Sequence, residues 1–300
     1  FAWVTHKLKG EVGIPLIATN RINMPEVAER VLAEGGADMV SMARPLLSDP
    51  DWVNKARTGR SERINTCIAC NQACLDHVFQ NKRASCLVNP RACHETELKI
   101  EPANARKRIA VIGAGPAGMA CASTLAERGH AVTLIDRANE IGGQFNYAKQ
   151  IPGKEEFHET LRFFRHRLKD SGVDLQLGQT ADVALLRASG HDEVVIATGI
   201  TPRQVSFPGS DDPRVLSYID VLAHHQSVGA KVAIIGAGGI GFDVAEFLVE
   251  RAPSPTTDVA RWTREWGVDM QLAERGGLQL PHPEAPARQV WLLQRSEGRL

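Results

Sequence analysis

The chain has 300 residues, and its 35 basic and 35 acidic side chains leave no formal net charge at pH 7. Proteins that bind nucleic acids carry a basic surface, so this balance argues against such a partner. Hydrophobic residues make up 43% of the chain, as in a globular protein, and no apolar run is long enough to cross a membrane. The six cysteines are mostly clustered, which fits a reducing cytoplasm better than a secreted disulfide scaffold.

Two apolar runs near the start of the chain, 14–19 and 37–42, are predicted to be parallel strands around an amphipathic helix that Pro25 opens. Arg21 follows the first run and Arg44 follows the second. Ligands bind at the carboxyl ends of parallel strands in α/β folds, barrels included, so both arginines are candidates for a phosphate site. Each could instead be a structural ion-pair partner, and the sequence leaves both alternatives open.

A segment with little periodic structure follows, and it holds four cysteines: Cys67, Cys70, Cys74 and Cys86. Their spacing, C-x2-C-x3-C-x11-C, is typical of ligands that converge on a soft metal centre. One C-x2-C pair extended by a third and a distant fourth cysteine favours a four-iron cluster, although the x3 spacing differs from the bacterial ferredoxin pattern. Zinc and plain structural thiols are the alternatives. Cys93 could substitute as a ligand, but a structural role fits it better.

The first glycine motif, GAGPAG, places Gly113, Gly115 and Gly118 between an apolar strand over 108–112 and a helix. Asp136 ends the next strand and completes the context of a dinucleotide-binding unit. The glycines allow close backbone approach, the helix N-terminus offers amides to a pyrophosphate, and the acid can accept from ribose hydroxyls. A glycine-rich turn without function is the alternative.

A second motif of the same kind contains Gly236, Gly238 and Gly241. The next strand arrives only after an insertion and ends in Gln294-Arg295, with Arg295 predicted to take the place of the usual acid. An arginine in place of that acid favours the extra phosphate of NADP over the free ribose hydroxyl of NAD. A surface arginine is the alternative reading of Arg295.

Hydrophobic periodicity places the remaining elements of the second half. It predicts a helix over 155–171 and strands over 174–177, 193–197 and 289–294. Residues 252–287 are rich in proline and glycine and are predicted to form a long loop.

Several motifs occur together in one order: NTCIACNQACLDHVF, SCLVNPRACHET, GAGPAG with EIGGQFNYAKQIPGKEEF, and IIGAGGIGFD. In this order they resemble the bacterial NADPH-dependent 2,4-dienoyl-CoA reductases. The stretch ATNRINMPEVAERVLAEGGADMVSMARPLL is similar to the barrel end of that family. The resemblance covers almost the whole chain and is weakest between residues 251 and 288.

The resemblance implies an α/β chain with four parts: the end of an FMN-binding TIM barrel (1–60), a 4Fe-4S segment (61–105), the first part of an FAD-binding domain (106–226) and a partial NADPH-binding domain (227–300). The last two are implied to be doubly wound. In the family, hydride passes from NADPH to FAD, and single electrons then cross the cluster to FMN. Reduced FMN reduces a dienoyl-CoA thioester in the β-oxidation of unsaturated fatty acids.

The same resemblance implies which residues hold each group. The four cysteines would hold the cluster. The FMN phosphate would be held by Arg21, Ala43 and Arg44. FAD would be contacted by Ala117, Asp136, Gln144, Lys154 and Ala181, with the turn at Thr198 near the flavin. NADPH would be held by Gly238, Gly239, Ile240 and Arg295.

The chain also departs from that family. It lacks a counterpart of the first barrel strands, which carry the family's proton donor, and it does not begin with methionine. We therefore expect an internal fragment that is inactive alone, and we name no catalytic residue. An amine oxidoreductase similar to trimethylamine dehydrogenase is one alternative, against which the intact second glycine motif and Arg295 argue. A non-catalytic electron-transfer module is another. The sequence predicts no oligomeric state.

Overall fold

Parallel strand pairing organises the chain, as the α/β prediction requires. The computed structural model describes residues 2–203, 205–295 and 297. The strands, in chain order, are β1 Ile17–Ala18, β2 Met39–Val40, β3 Arg108–Ile112, β4 Ala131–Asp136, β5 Asp174–Leu177, β6 Glu193–Ile196, β7 Lys231–Ile235 and β8 Gln289–Leu293.

Helices follow most of these strands. They are α1 Ala2–Leu8, α2 Pro25–Ala33, α3 Arg44–Ser48, α4 Trp52–Arg57, α5 Leu75–Phe79, α6 Pro116–Glu127, α7 Phe145–Ala148, α8 Phe157–Asp170, α9 Val183–Ala188, α10 Tyr218–Leu222, α11 Gly239–Val249 and α12 Val259–Trp266. Short 3-10 turns occur at Ser61–Arg63, Pro255–Thr257 and Arg275–Gly277. No helix in the described ranges combines the length and the apolar character needed to cross a bilayer.

The chain divides into two compact units. The first contains residues 1–143 and 156–200, and the second contains residues 144–155 and 201–300. The four-part division that the family resemblance implies is finer than this and stays a prediction.

The first unit begins with a parallel pair, in which β1 is aligned with β2. Both strands are shorter than predicted, because each finds a single partner strand among the described residues and the paired stretch is short. Helix α2 begins at Pro25, as predicted, and buries Ala28 and Val31. Trp52 and Ile64 complete the neighbouring apolar cluster, so the residues just before the cysteine segment belong to this core.

A four-stranded parallel sheet in the order β5-β4-β3-β6 forms the rest of the first unit. Strand β3 is central and almost fully buried, with Ile112 aligned to Ile135 on one side and to Ile196 on the other. The carboxyl ends of these strands therefore meet at one edge of the sheet. Ligands bind at this edge in doubly wound folds.

The second unit contains the parallel pair β7 and β8, packed on a core that includes Ile151, Leu222 and Leu248. The expectation of a long loop over 252–287 is wrong, because α12 and two 3-10 turns lie within it. Arg261 organises this insertion: its Nη1 donates to the carbonyl oxygens of Arg251 (3.0 Å) and Pro253 (2.7 Å). It also pairs with three carboxylates, those of Glu250, Glu265 and Glu284. The proline- and glycine-rich composition of the insertion predicts a loop and gives no sign of these contacts of Arg261.

Arg162 of α8 ties that helix to the chain that leads into the cysteine segment. Its Nη1 donates to the carbonyl oxygens of Ser61 (3.2 Å) and Glu62. Its Nη2 donates to the carbonyl oxygen of Ile64 (3.1 Å) and to Oγ1 of Thr66 (3.0 Å). One planar guanidinium thus satisfies four acceptors immediately before the first of the four cysteines.

We expect Arg162→Gln to lower the free energy of unfolding by about 2 kcal/mol, because it leaves partly buried carbonyl oxygens without donors. Arg165→Gln is the matched control, since Arg165 lies on the exposed side of the same helix, and we expect a change below about 0.5 kcal/mol. Denaturant unfolding of both variants measures the difference. Equal stabilities would contradict the role of Arg162.

Candidate functional site

The four clustered cysteines line one small cavity, together with Arg44 and mostly apolar side chains. Their thiols are free, because no cysteine of the chain forms a disulfide. Helix α5 begins directly after the third cysteine, and the rest of the segment is irregular. The spacing in the sequence therefore does bring the predicted ligand set to one place.

Hydrogen bonds from asparagine side chains close the segment at both ends. Nδ2 of Asn23 donates to the carbonyl oxygen of Cys67 (3.0 Å). Nδ2 of buried Asn65 donates to the carbonyl oxygens of Ser48 (3.1 Å) and Val88 (2.8 Å), so it joins the chain before the first cysteine to the chain after the fourth. These asparagines were not predicted from the sequence. Asn65 precedes Cys67 by two residues in the sequence, which is a signal that could have found it, whereas Asn23 lies 44 residues away and gives no such signal.

Burial shapes the chemistry of the thiols. Desolvation raises the pKa of Cys67, and the nearby Arg44 partly opposes this rise. Desolvation likewise raises the pKa of Cys86. Buried and half-buried thiols that line one cavity fit a site that a cationic metal centre would deprotonate and fill. The donor set therefore suits an iron–sulfur cluster.

The described residues contain no group of three or more His, Cys, Asp or Glu side chains placed closely enough to hold a metal ion. A tetrahedral Zn–S distance of 2.3 Å would require sulfur atoms only about 3.8 Å apart. A cluster of several irons accepts thiolates that are spread more widely. The four thiols share one cavity, and both the cluster and the zinc alternative stay predictions.

The other two cysteines lie outside this cavity. Cys93 is exposed, with a backbone φ of 63°. Its N–H donates to Oε1 of Glu95 (3.1 Å). Cys121 is half-buried within α6, where desolvation raises its pKa. Neither cysteine lines the cavity of the other four.

The first glycine turn joins β3 to α6 at the carboxyl edge of the sheet. Gly113 has a φ of 108°, and a Cβ there would lie 2.4 Å from the carbonyl oxygen of Ala197, so only glycine fits. Asp136 accepts from the N–H of Ala114 through Oδ2 (2.6 Å). The predicted ribose ligand therefore also fixes the glycine turn. Thr198 lies beside the same turn, its Cα 3.1 Å from the Cβ position of Gly113.

The other two glycines of this motif have different tasks. A Cβ on Gly118 would lie 1.7 Å from the carbonyl oxygen of Gly113, so this glycine lets helix α6 pack against the turn. Gly115, the N-cap of α6, has an ordinary extended backbone, and a Cβ there would meet no atom within 4 Å. That open space beside the helix N-terminus suits a pyrophosphate.

The second glycine turn repeats this arrangement between β7 and α11. A Cβ on Gly241 would lie 2.0 Å from the carbonyl oxygen of Gly236, whereas one on Gly238 would meet nothing within 4 Å. Gly239 and Ile240 form the first turn of α11, as the NADPH prediction requires. The second unit thus carries its own nucleotide cradle, by which we mean a glycine turn with open space at the N-terminus of the following helix.

The register of β8 refines the predicted NADP determinant. The N–H of Gly236 donates to the carbonyl oxygen of Leu293 (2.8 Å), just as the N–H of the first glycine in the first motif donates to the residue before Asp136 (2.8 Å). Gln294, and not Arg295, therefore occupies the position of the usual acid. Arg295 is exposed one residue further on.

The two predicted phosphate arginines have different surroundings. Arg21 forms an ion pair with Glu156, which is the structural alternative that the sequence left open. Arg44 begins α3 after the N-cap Ala43. Its Nη1 donates to Oδ1 of Asn71 (2.6 Å), beside the cysteine cavity. The binding of an FMN phosphate by these residues stays a prediction.

The remaining predicted FAD contacts fall in both units. Ala117 is exposed in the first turn of α6. Ala181 packs against the core of the four-stranded sheet. Gln144 and Lys154 belong to the second unit. There, Nζ of Lys154 donates to both carboxylate oxygens of Asp243 (2.6 Å each). Their contacts with FAD stay predictions.

Residues 107–275 match the family described as pyridine nucleotide-disulphide oxidoreductase. The chain belongs to this family. Residues 3–63 match a second family, NADH:flavin oxidoreductase / NADH oxidase. Together these matches confirm the expected order of an FMN-type barrel end before a pyridine nucleotide region, and they support the binding of FMN, FAD and NAD(P)H.

Three known proteins illustrate the range of this similarity. The metal reductase of Desulforamulus reducens (strain ATCC BAA-1160 / DSM 100696 / MI-1) is 40% identical over 83% of this chain and 38% of its own length. A 2-naphthoyl-CoA reductase in complex with 2-naphthoyl-CoA is 35% identical, with a TM-score of 0.79 over 82% of this chain and 38% of that one. A 6-hydroxypseudooxynicotine amine oxidase from Pseudomonas geniculata N1 is 28% identical, with a TM-score of 0.71 over 80% of this chain and 38% of that one. The chain thus spans less than half the length of these relatives.

Replacement by alanine should affect FAD binding at Gly115, which borders open space, and stability at Gly118, which packs against a carbonyl oxygen. We expect Gly115→Ala to leave the unfolding free energy within about 0.5 kcal/mol of wild type, while FAD binding weakens about tenfold or more because the methyl group occupies the pyrophosphate space. We expect Gly118→Ala to destabilise the fold by about 1–3 kcal/mol, because its methyl group overlaps a carbonyl oxygen. Fluorescence titration with FAD and thermal unfolding measure the two effects. Undiminished FAD affinity of Gly115→Ala would contradict the cradle.

Proposed function

We propose that the chain is part of an iron–sulfur flavoenzyme that passes electrons from NADPH through FAD and a 4Fe-4S cluster to FMN, and that reduces a 2,4-dienoyl-CoA. The observation that carries this proposal is the shared cavity of Cys67, Cys70, Cys74 and Cys86. The families matched on either side of that segment supply its context, since one is of the flavin type and the other of the pyridine nucleotide type.

When bound, the nicotinamide supplies hydride, the flavins convert electron pairs into single electrons, and the cluster carries one electron at a time. The chain's own residues bind and orient these groups. The open cradles at Gly115 and Gly238 each present a helix N-terminus to a pyrophosphate. Asp136 holds the first turn in shape while an oxygen lone pair remains for a ribose hydroxyl. The apolar lining of the cysteine cavity would keep water from a cluster held there.

A CoA thioester is the substrate class that the similarities favour. The ordered motifs resemble dienoyl-CoA reductases, and the similar 2-naphthoyl-CoA reductase was solved in complex with a CoA thioester. The amine alternative draws support from the similar amine oxidase. The intact cradle of the second glycine motif, with the neutral Gln294 at the acid position, favours a reductase that takes electrons from NADPH.

Turnover by the full-length protein distinguishes these functions. We expect NADPH oxidation that depends on added 2,4-dienoyl-CoA, with loss of the dienoyl absorbance. Oxidation of a methylated amine with an artificial electron acceptor, without NADPH-dependent reduction of the thioester, would establish the amine alternative. Binding of the cofactors without either reaction would leave the non-catalytic electron-transfer module.

The cysteine assignment predicts a selective loss of iron. We expect Cys74→Ser in the full-length protein to lower the iron and acid-labile sulfide content and the broad visible absorbance, while FAD remains bound. Cys93→Ser is the matched control, because this exposed thiol lies outside the cavity, and its iron content should equal that of wild type. Elemental analysis and the visible spectrum decide. Zinc in place of iron in the wild-type protein would overturn the cluster.

The register of β8 predicts how the second cradle selects its nucleotide. We expect Arg295→Ala to raise the Kd for NADPH about tenfold and to leave the Kd for NADH nearly unchanged, because the guanidinium would pair only with the extra phosphate. Gln294→Asp should improve NADH binding and weaken NADPH binding, since it restores the ribose acceptor and repels the phosphate. Equal effects of Arg295→Ala on both nucleotides would contradict this role.

A further inference from the structure

Arg44 is the charged side chain in the wall of the cysteine cavity. Among the described residues that line the cavity, the others are the four thiols, one amide and aliphatic side chains. A cation in such surroundings acts strongly on a neighbouring charge, because few polar groups screen it. Arg44 was singled out in the sequence for an FMN phosphate, and the structure places it in the lining of the cavity that holds the thiols.

Two features hold the guanidinium there. Arg44 is the first residue of α3, and the next residue, Pro45, is buried, so the start of this helix is fixed. Its Nη1 donates to Oδ1 of Asn71 at 2.6 Å. Asn71 lies between the second and third cysteines with a φ of 60°, a conformation that asparagine adopts more readily than most residues. The hydrogen bond thus connects the arginine to the ligand loop itself.

The positive charge of Arg44 would act on any additional negative charge that the cavity receives.

We propose that Arg44 is a positioning residue that raises the reduction potential of the cluster held by the four cysteines. The inference rests on the proposed function, because it requires that the cysteines hold an iron–sulfur cluster. It differs from the FMN phosphate role predicted for this arginine, which concerns another group.

The step concerned adds one electron, which the reduced flavin gives up, to a cluster whose thiolates are already negative. No bond is formed or broken. A nearby cation stabilises the more negative, reduced form more than the oxidised form, so it shifts the potential in the positive direction. The length of the arginine side chain and its bond to Asn71 keep that charge at the cavity wall.

An EPR-monitored redox titration of the full-length protein tests the inference. We expect the midpoint potential of the cluster in Arg44→Gln to be more negative than in wild type. Arg44→Lys, which keeps the charge, should stay closer to wild type than Arg44→Gln does. Arg57→Gln is the charge-matched control, because Arg57 is exposed at the end of α4 and does not line the cavity, and its potential should equal that of wild type.

Asn71→Gly provides a second test, because glycine tolerates the positive φ and removes only the acceptor of the arginine. We expect a negative shift in the potential, smaller than that of Arg44→Gln. If Arg44→Gln assembles no cluster, this variant decides the question. Wild-type potentials in every variant that holds a cluster, even with reduced FMN content, would overturn the inference and leave the proposed function intact. A wild-type protein without iron would overturn both.

Discussion

The convergence of four thiols on one cavity is the constraint on which the rest of this structure depends. No strand or long helix carries these cysteines, so hydrogen bonds from a few polar side chains hold the backbone of the segment. Asn65 joins the two ends of the segment, Asn23 holds the first cysteine, and Arg162 fixes the approach to it. Arg162 belongs to α8, which lies in the same unit as the four-stranded sheet. Its hydrogen bonds therefore connect the cysteine segment to that unit.

The two nucleotide cradles show one packing solution used twice. In each, the third glycine lets a helix approach the carbonyl oxygen of the first, and the middle glycine leaves space at the helix N-terminus. The difference between them lies at the end of the following strand, where Asp136 is replaced by Gln294. This exchange of an anionic acceptor for a neutral side chain, followed by Arg295, would separate a site for FAD from a site for NADPH. Similar backbones can thus serve two steps of one electron path.

Much of the fold could be predicted from the sequence, because periodicity and glycine spacing are local properties. Strands β3 and β5 have the predicted bounds, and the glycine turns lie where the motifs place them. The alignment of Gln294 with the acid position could not be predicted, since it depends on strand register after a long insertion. The order within that insertion was also hidden, because it depends on Arg261 gathering distant carboxylates. Arg162 could have been suspected, since this cation lies among the buried positions of an amphipathic helix.

In the candidate site too, local patterns could be predicted from the sequence, whereas long-range contacts could not. The four cysteines were found by their spacing, while the polar residues that hold them were not, because each acts across many residues of sequence.

The most direct measurement of the electron path is an anaerobic reductive titration of the full-length protein with NADPH, followed by visible absorbance and EPR. We expect flavin bleaching to be accompanied by the paramagnetic signal of a reduced iron–sulfur cluster, with uptake of more electrons than one flavin can hold. Bleaching of a single flavin, with no cluster signal and no further electron uptake, would contradict a relay through the four cysteines.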